Sequence, residues 1–293
     1  MSLLAWVAGG AVLAAALFVA AITIGFRAPR VRETGSPADL DLRAEVLSIP
    51  TVRSRRLFAW FIPAVGTAPA PAVVILHGWG ANAEMMLPFA PGLHDAGFAV
   101  LLVDTRNHGR SDGDGVVSSM PKFAEDLSHA VDALRARPDV DAARIAVVGH
   151  SVGAAAALLC ASRRNDIAAC VSLSAFAHPE NVMRRIMARG HIPYVPIGWL
   201  VNRVVEIAIG HRFAEIAPIV TISRVRCPVL LGHGTADVSV PVADARTLLA
   251  CADASTCRLV ELPGVDHGAN GTMDRVTGPV VAFLSDVVQK RPA

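Results

Sequence analysis

One pentapeptide and its flanks limit the folds open to this chain of 293 residues more than any other feature. Residues 149–153 are Gly-His-Ser-Val-Gly; a strand-like run precedes them at 144–148, and an alanine-rich helical run follows at 154–160. A serine between glycines at a sharp strand-to-helix turn is typical of a nucleophile elbow, because glycines without Cβ atoms let the strand and the helix approach closely. The pattern predicts that Ser151 attacks a carbonyl group.

The pentapeptide alone also fits a simpler interpretation, a turn serine that happens to lie between two glycines. With 23 glycines in the chain, a chance match somewhere has odds of roughly one in ten. A serine hydroxyl is a weak nucleophile that needs a base, and the base needs a third group to orient it. The interpretation as a nucleophile therefore depends on partners elsewhere in the chain.

Two downstream loops supply these partners. Asp237 lies in the loop after the apolar run 229–231, and His267 lies in the loop after the run 258–262. The loops at the carboxyl ends of parallel strands share one edge of a sheet. We therefore expect Ser151, Asp237 and His267 to meet at that edge although they are far apart in the sequence.

Short apolar runs alternate with helical segments along the chain, which predicts an α/β fold with a mostly parallel sheet and helices on both faces. Residues 120–137 have the apolar spacing of a helix. The predicted strands are residues 45–52 and 56–61, which look paired, and residues 72–76, 98–103, 145–148, 168–173, 229–231 and 258–262.

One interval interrupts the alternation. About fifty residues separate Ser174 from Cys227, far more than the few residues of an ordinary connection. Apolar side chains recur there among arginines, so we predict a helical cap over residues 176–226. Its apolar side chains either face a substrate tunnel or only pack the cap onto the sheet.

The amino terminus carries a second distinctive segment. Leu3 to Phe26 is 24 residues without a charge; as a helix it would be roughly 36 Å long, enough to cross a hydrocarbon core of about 30 Å. A cleaved signal peptide is the alternative, although no Lys or Arg precedes the run and no small-residue cleavage site follows closely. We predict a transmembrane anchor at residues 1–26, a juxtamembrane linker at 27–43 and a catalytic domain at 44–290.

The charges around the apolar run predict its orientation. Arg27, Arg30 and Arg32 follow it, and only the α-amino group precedes it. By the positive-inside rule the catalytic domain is expected on the cytoplasmic side of the membrane, with a periplasmic or extracellular position as the alternative.

The chain resembles the α/β-hydrolases of the serine hydrolase type, across about residues 44–290. Five segments carry the resemblance, and they occur in the order in which that superfamily has them. The segments are residues 76–80 (Leu-His-Gly-Trp-Gly), 104–111 (Asp-Thr-Arg-Asn-His-Gly-Arg-Ser), 149–153 (Gly-His-Ser-Val-Gly), 233–237 (His-Gly-Thr-Ala-Asp) with 240–241 (Val-Pro), and 266–268 (Asp-His-Gly).

The resemblance implies a role for each residue of the site. Ser151 is expected as the nucleophile, His267 as general base and then acid, and Asp237 as the carboxylate that orients the imidazole. The backbone N–H groups of Val152 and Trp79 are expected to form the oxyanion hole.

Two other carboxylates could orient the histidine in place of Asp237. Asp266 adjoins His267 but is constrained by that position, and Asp104 ends an earlier strand, where its counterparts usually organise the following loop. His150, inside the elbow, is expected to pack beside the site.

Composition excludes several other classes of function. The formal net charge is only +2, and no basic cluster with interleaved aromatic residues indicates a nucleic acid partner. No His-Glu-x-x-His, Cys-x-x-Cys or glycine-rich phosphate loop is present, so we expect neither a metal nor a cofactor. The five cysteines leave one candidate disulfide, Cys251 with Cys257, and the oligomeric state stays open.

The sequence therefore predicts a membrane-anchored serine hydrolase that cleaves a carboxylic ester with an acyl or lipid-like part. A serine peptidase of the aminopeptidase or prolyl oligopeptidase type and a thioesterase are the alternatives with the same triad. A binding protein that keeps the fold without catalysis is the alternative from another class.

Overall fold

A sheet of eight strands forms the centre of the molecule in the computed structural model, which describes residues 2–66, 69–115 and 117–289. The predicted boundaries at residues 1 and 290 lie outside these ranges. The strands are β1 (Glu45–Thr51), β2 (Arg55–Ile62), β3 (Ala70–Leu76), β4 (Ala99–Val103), β5 (Val140–His150), β6 (Ala169–Leu173), β7 (Val229–Gly234) and β8 (Cys257–Leu262).

The order of the strands in the sheet is β1-β2-β4-β3-β5-β6-β7-β8. Strands β3 to β8 are parallel to one another, and β1 and β2 pair antiparallel at one edge. Strands β3, β4 and β6 are buried along their whole length, which agrees with their continuous apolar sequences. The mostly parallel sheet of the α/β-hydrolase fold is confirmed. Strand β5 begins earlier than predicted, because Val140 pairs with Ala70 beyond a bulge.

Helices cover both faces of the sheet. One hydrophobic core includes side chains of the helices Met120–Arg135, Val152–Arg163 and Val242–Cys251, and a second core on the opposite face includes those of Ala90–Asp95 and Met273–Leu284. Short 3-10 and π turns occur at 37–40, 52–54, 83–89, 194–198, 222–224 and 285–289. The helices are α1 (Leu3–Gly25), α2 (Ala90–Asp95), α3 (Met120–Arg135), α4 (Val152–Arg163), α5 (Pro179–Arg189), α6 (Trp199–Ile209), α7 (Phe213–Ile216), α8 (Pro218–Thr221), α9 (Val242–Cys251) and α10 (Met273–Leu284).

Four helices, α5 to α8, fill the long interval between β6 and β7. Their buried side chains, such as Met183 and Val205, belong to the same core as α3 and α4. We call α5 and α6 the cap helices, because they overlie the carboxyl ends of the strands where the cavity described below opens.

Helix α1 is long and apolar enough to cross a membrane, since a window of 18 residues within residues 4–25 has a mean hydropathy of 2.4. An anchor and a signal sequence both have this composition. Cys251 and Cys257, the candidate disulfide pair, are separate thiols, the first exposed and the second buried.

Candidate active site

The turn between β5 and α4 holds Ser151 in a strained conformation. Ser151 has φ 56° and ψ −119°, a region that residues other than glycine rarely adopt. Two close backbone approaches enforce the turn: a Cβ on Gly149 would lie 2.2 Å from the Gly153 carbonyl oxygen, and one on Gly153 would lie 2.3 Å from the His77 carbonyl oxygen. The glycines are therefore required by packing, and the serine hydroxyl is presented at the end of the strand.

The structure brings Ser151, Asp237 and His267 together at the carboxyl edge of the sheet. His267 Nε2 lies 3.0 Å from Ser151 Oγ, and His267 Nδ1 lies 2.6 Å from Asp237 Oδ2. Asp237 follows β7 and His267 follows β8. The two distances are within hydrogen-bond reach, so a proton can pass from the serine to the histidine while the carboxylate fixes the ring.

Asp237 lies in an environment that favours its ionised form. Its side chain is fully shielded from solvent, and the backbone N–H groups of Ser239 and Val240 each donate to Oδ1 at 2.8 Å. Burial acts to raise the pKa of Asp237, but hydrogen bonds from His233, His267 and the N–H of Val240 outweigh it and hold the pKa well below its ordinary value. The group can therefore stabilise a positive charge on His267.

The predicted oxyanion donors flank the serine. Val152 is the first residue of α4, where backbone N–H groups and the helix dipole favour negative charge. The loop that carries Trp79 passes beside Ser151, because a Cβ on Gly78 would lie 3.3 Å from Ser151 Cβ. Both Trp79 and Val152 line the same cavity as Ser151.

A buried histidine fixes the loop that carries Trp79. His77 Nε2 accepts a hydrogen bond from the N–H of Thr105 at 3.1 Å, so the ring proton is on Nδ1, which donates to the Gly78 carbonyl oxygen at 2.7 Å. Burial, assisted by the nearby His108, lowers the pKa of His77 to about 3. The ring is therefore neutral near pH 7, as this pattern of one donor and one acceptor requires.

The alternative carboxylates have other partners. Asp266 accepts from the backbone and side-chain N–H groups of Asn270. Asp104 accepts from the backbone N–H groups of Ala83 and Arg110, each at 2.7 Å. Burial and then a hydrogen bond with Glu33 raise the pKa of Asp104 to about 8. Of the three carboxylates, Asp237 is the one that contacts the His267 ring.

His150 has a contact that the sequence did not predict. Its Nε2 lies 2.7 Å from the carbonyl oxygen of His267, and since a carbonyl only accepts, the ring donates. Burial and electrostatic repulsion between the two neighbouring rings of His150 and His267 lower the pKa of His150 to about 4, so the His150 ring is neutral and ties the elbow to the histidine loop. Its position beside Ser151 in the elbow was the available signal, but the partner lies 117 residues away.

A cavity of about 760 Å³ lies above these residues, within the range of small-molecule sites. Ser151 and His267 stand at its floor, and its walls are mostly apolar. No Asp or Glu is among the described residues that line it. Within residues 2–66, 69–115 and 117–289, no group of three or more His, Cys, Asp or Glu side chains could hold a metal ion.

The chain is similar in sequence to a family of known hydrolases and to a bacterial protein. Residues 67–213 match the family of hydrolases described as serine aminopeptidase, S33. An uncharacterized protein of Mycobacterium tuberculosis is 32% identical over 226 residues, which cover 77% of this chain and 73% of the relative.

Two solved structures share the fold. An esterase of Pyrococcus furiosus superposes with a TM-score of 0.72 at 24% identity, covering 89% of this chain and 98% of that protein. Est1E of Butyrivibrio proteoclasticus, with bound ferulic acid, superposes with a TM-score of 0.68 at 22% identity, covering 83% of this chain and 100% of that protein.

Proposed function

Because this chain belongs to the family of α/β-hydrolases described as serine aminopeptidase, S33, we propose that it cleaves a carboxylic ester with an acyl or lipid-like part through Ser151, His267 and Asp237. One observation carries this proposal. The hydrogen-bonded pair of Ser151 Oγ and His267 Nε2, 3.0 Å apart, lies at the floor of a largely apolar cavity. Such a floor presents an activated hydroxyl to an uncharged substrate.

Acylation follows from the positions of these atoms. As Ser151 Oγ bonds to the ester carbonyl carbon, His267 Nε2 takes the hydroxyl proton and the carbonyl oxygen becomes an oxyanion. The N–H groups of Val152 and Trp79 receive that oxyanion. His267 then returns the proton to the alcohol oxygen as the carbon–oxygen bond of the ester breaks, which leaves an acyl group on Ser151.

Deacylation repeats the sequence with water. His267 takes a proton from the water as its oxygen bonds to the acyl carbon, and then donates that proton to Ser151 Oγ as the acid departs. Asp237 stays ionised in both halves and stabilises the imidazolium, in keeping with its depressed pKa.

The lining of the cavity favours an ester over an aminoacyl substrate. An aminopeptidase needs an acidic group for the substrate amine, and the acidic candidates in the cap are engaged elsewhere. Glu180 pairs with Arg184 at 2.6 Å, and Glu206 accepts from the N–H of Phe213 and pairs with Arg203. The charged residues that line the cavity are the cations Arg185 and Arg189.

The proposal extends to the arrangement of the chain: an uncleaved anchor at residues 1–26, a linker at 27–43 and a catalytic domain at 44–290 with its cap at 176–226. The apolar α1 supports an anchor, and Arg27, Arg30 and Arg32 favour a cytoplasmic catalytic domain. A reporter fused to the carboxyl terminus tests the orientation, and activity of a reporter that works only in the periplasm would overturn it.

The experiment is an alkyl-ester panel of increasing acyl length, assayed with the full chain and with Ser151→Ala. We expect wild-type turnover well above that of the variant. No turnover above the variant at any length overturns the proposal, and turnover of aminoacyl amides without simple esters favours the peptidase. A thioester in the same panel tests the thioesterase alternative. Failure of a fluorophosphonate probe to label Ser151 would favour a non-catalytic binding protein.

A further inference from the structure

The last turns of α1 pack against the hydrolase, whereas the rest of the helix does not. Ile22 is 9% exposed and belongs to the main hydrophobic core, while Leu4 and Val12 are 82% and 70% exposed. Phe18 and Phe26 also pack against that core. An apolar helix with a covered end and an exposed body has a structural role at its covered end, in addition to any role in crossing a membrane.

The covered end of α1 is a wall of the cavity above Ser151. Phe18, Ala21, Ile22 and Gly25 line the same cavity as the serine. Across from the serine the cavity is therefore closed by residues outside the predicted hydrolase domain, which begins at residue 44.

The facing wall comes from the second cap helix. Val201, Val205 and Ile209 of α6 line the cavity, and α6 contacts α1. Most of the described lining from the two helices consists of aliphatic and aromatic side chains and glycine. Asn202 of α6 is the polar side chain in it, and its Nδ2 donates to the Tyr194 hydroxyl at 2.7 Å. A space of this lining suits an alkyl chain, since burial of each CH₂ contributes about 0.8 kcal/mol.

The protein surface beside this wall indicates from which side the alkyl chain of a substrate would enter the cavity. The turn before α6 and the start of α6 expose Val195, Trp199 and Leu200, at 70%, 50% and 42%. The Arg203 guanidinium lies 5.9 Å from the Trp199 ring centre. Exposed apolar residues with an aromatic ring and an arginine are typical of a surface at the membrane interface, and they lie at the start of the helix that contacts α1.

We propose that the end of α1 and helix α6 form a tail-binding subsite for one aliphatic chain of a membrane-resident ester. The subsite rests on the proposed function, because it positions the ester carbonyl at Ser151. The helix that holds the protein at the bilayer also selects the substrate by its chain. Ile22 is the residue of α1 that the geometry assigns to this selection, since it is both buried in the core and exposed to the cavity.

The test compares two tryptophan substitutions in the full chain, Ile22→Trp and Ile24→Trp. The two residues are equally apolar, but Ile24 is 65% exposed and does not line the cavity. The protein is assayed in lipid nanodiscs with p-nitrophenyl acetate and p-nitrophenyl dodecanoate, and labelling of Ser151 by a small fluorophosphonate checks that the site is intact.

We expect Ile22→Trp to lower kcat/KM for the dodecanoate by about tenfold or more, because the indole fills the space of the chain. The effect is read as a ratio: Ile22→Trp should lower kcat/KM for the dodecanoate by about tenfold more than kcat/KM for the acetate, whereas Ile24→Trp should leave kcat/KM for both esters within about twofold of the wild type. Equal effects of Ile22→Trp on both esters, no effect on either, or the same effect from Ile24→Trp would overturn the subsite and leave the proposed function standing. Wild-type failure on both esters would overturn the proposed function and the subsite with it.

Discussion

Two regions of the molecule are built in different ways: the carboxyl edge of the sheet and the wall of the cavity above it. At the edge, Ser151, Asp237 and His267 are joined by hydrogen bonds and held by glycine contacts that leave no room for a Cβ. The wall is formed by α1, α5 and α6, whose apolar side chains meet without directional bonds. Directional bonds fix atoms to fractions of an ångström, whereas apolar packing tolerates changes of similar volume.

We expect the two regions to have different roles: the edge carries out the acyl transfer, and the wall selects among substrates. Changes at the edge should slow every substrate alike, because each passes through the same acyl transfer. Changes in the wall should alter the preference among substrates and leave the reaction of a short ester intact. Variants in the two regions therefore test this difference.

The largest effect is expected for the carboxylate that orients the histidine. Asp237→Asn should lower kcat by about 10⁴-fold for short and long esters alike, because the amide no longer holds the required tautomer or stabilises the imidazolium. Asp266→Asn is the matched control, since Asp266 contacts Asn270 and not the histidine ring. Steady-state kinetics on both variants checks this, and comparable losses in the two would refute the assignment of Asp237.

A smaller effect is expected from His150, a positioning residue. His150→Leu removes the donor to the His267 carbonyl oxygen and should lower kcat by about 10- to 100-fold with KM nearly unchanged. His150→Gln, whose amide can still donate, should restore part of the loss. A change in KM alone, or equal losses in both variants, would mean that His150 only fills space.

The pH dependence of the free energy of unfolding tests whether a buried, neutral His77 holds the loop that carries Trp79. The pKa of His77 in the folded protein, about 3, lies below its ordinary value of 6.5. The neutral ring therefore contributes fully to the free energy of unfolding above about pH 6.5, and this contribution is lost as the pH falls toward 3. The free energy of unfolding should be about 2 kcal/mol lower at pH 5 than at pH 7. Urea unfolding in detergent at pH 7 and pH 5 measures this, and His77→Asn should reduce the difference. An unchanged difference would show that His77 is not the group that titrates.

The smallest effect is expected in the wall. Val205→Ala should lower kcat/KM for a long-chain ester by about four- to 15-fold, because one or two methyl groups, each contributing about 0.8 kcal/mol, no longer contact the alkyl chain. The control is Ile207→Ala on the same helix, where the side chain is 81% exposed. If Val205→Ala lowered kcat/KM for an acetate ester as much as for the long-chain ester, the wall would not be the region that selects among substrates.

Sequence patterns predicted the meeting of these side chains at the carboxyl edge of the sheet because the constraints there are local. Ser151, Asp237 and His267 each follow an apolar strand, and parallel strands bring their carboxyl ends together. The sheet and most of its strands were predicted for the same reason. The elbow glycines carried the strongest signal, since backbone contacts at Gly149 and Gly153 exclude every larger residue.

The contribution of α1 to the wall of the cavity was not predictable in the same way. Helix α1 is apolar on all sides, so nothing in its sequence distinguishes Ile22, which is covered, from Ile24, which is exposed. The hydrogen-bond partner of His150 was also not predictable from the sequence, because it is a backbone carbonyl oxygen, which any residue would supply. Contacts of this kind depend on the tertiary arrangement alone.

The most direct test of both regions is the rate at which alkyl fluorophosphonates of increasing chain length modify the full chain, with the labelled residue mapped by mass spectrometry. We expect the label on Ser151 and a second-order rate constant that rises by about tenfold or more from the ethyl to the dodecyl probe. Labelling at another residue, or none in a folded protein, would contradict Ser151 as the nucleophile. Labelling of Ser151 at a rate that does not depend on chain length would contradict the apolar wall as the element that selects the substrate.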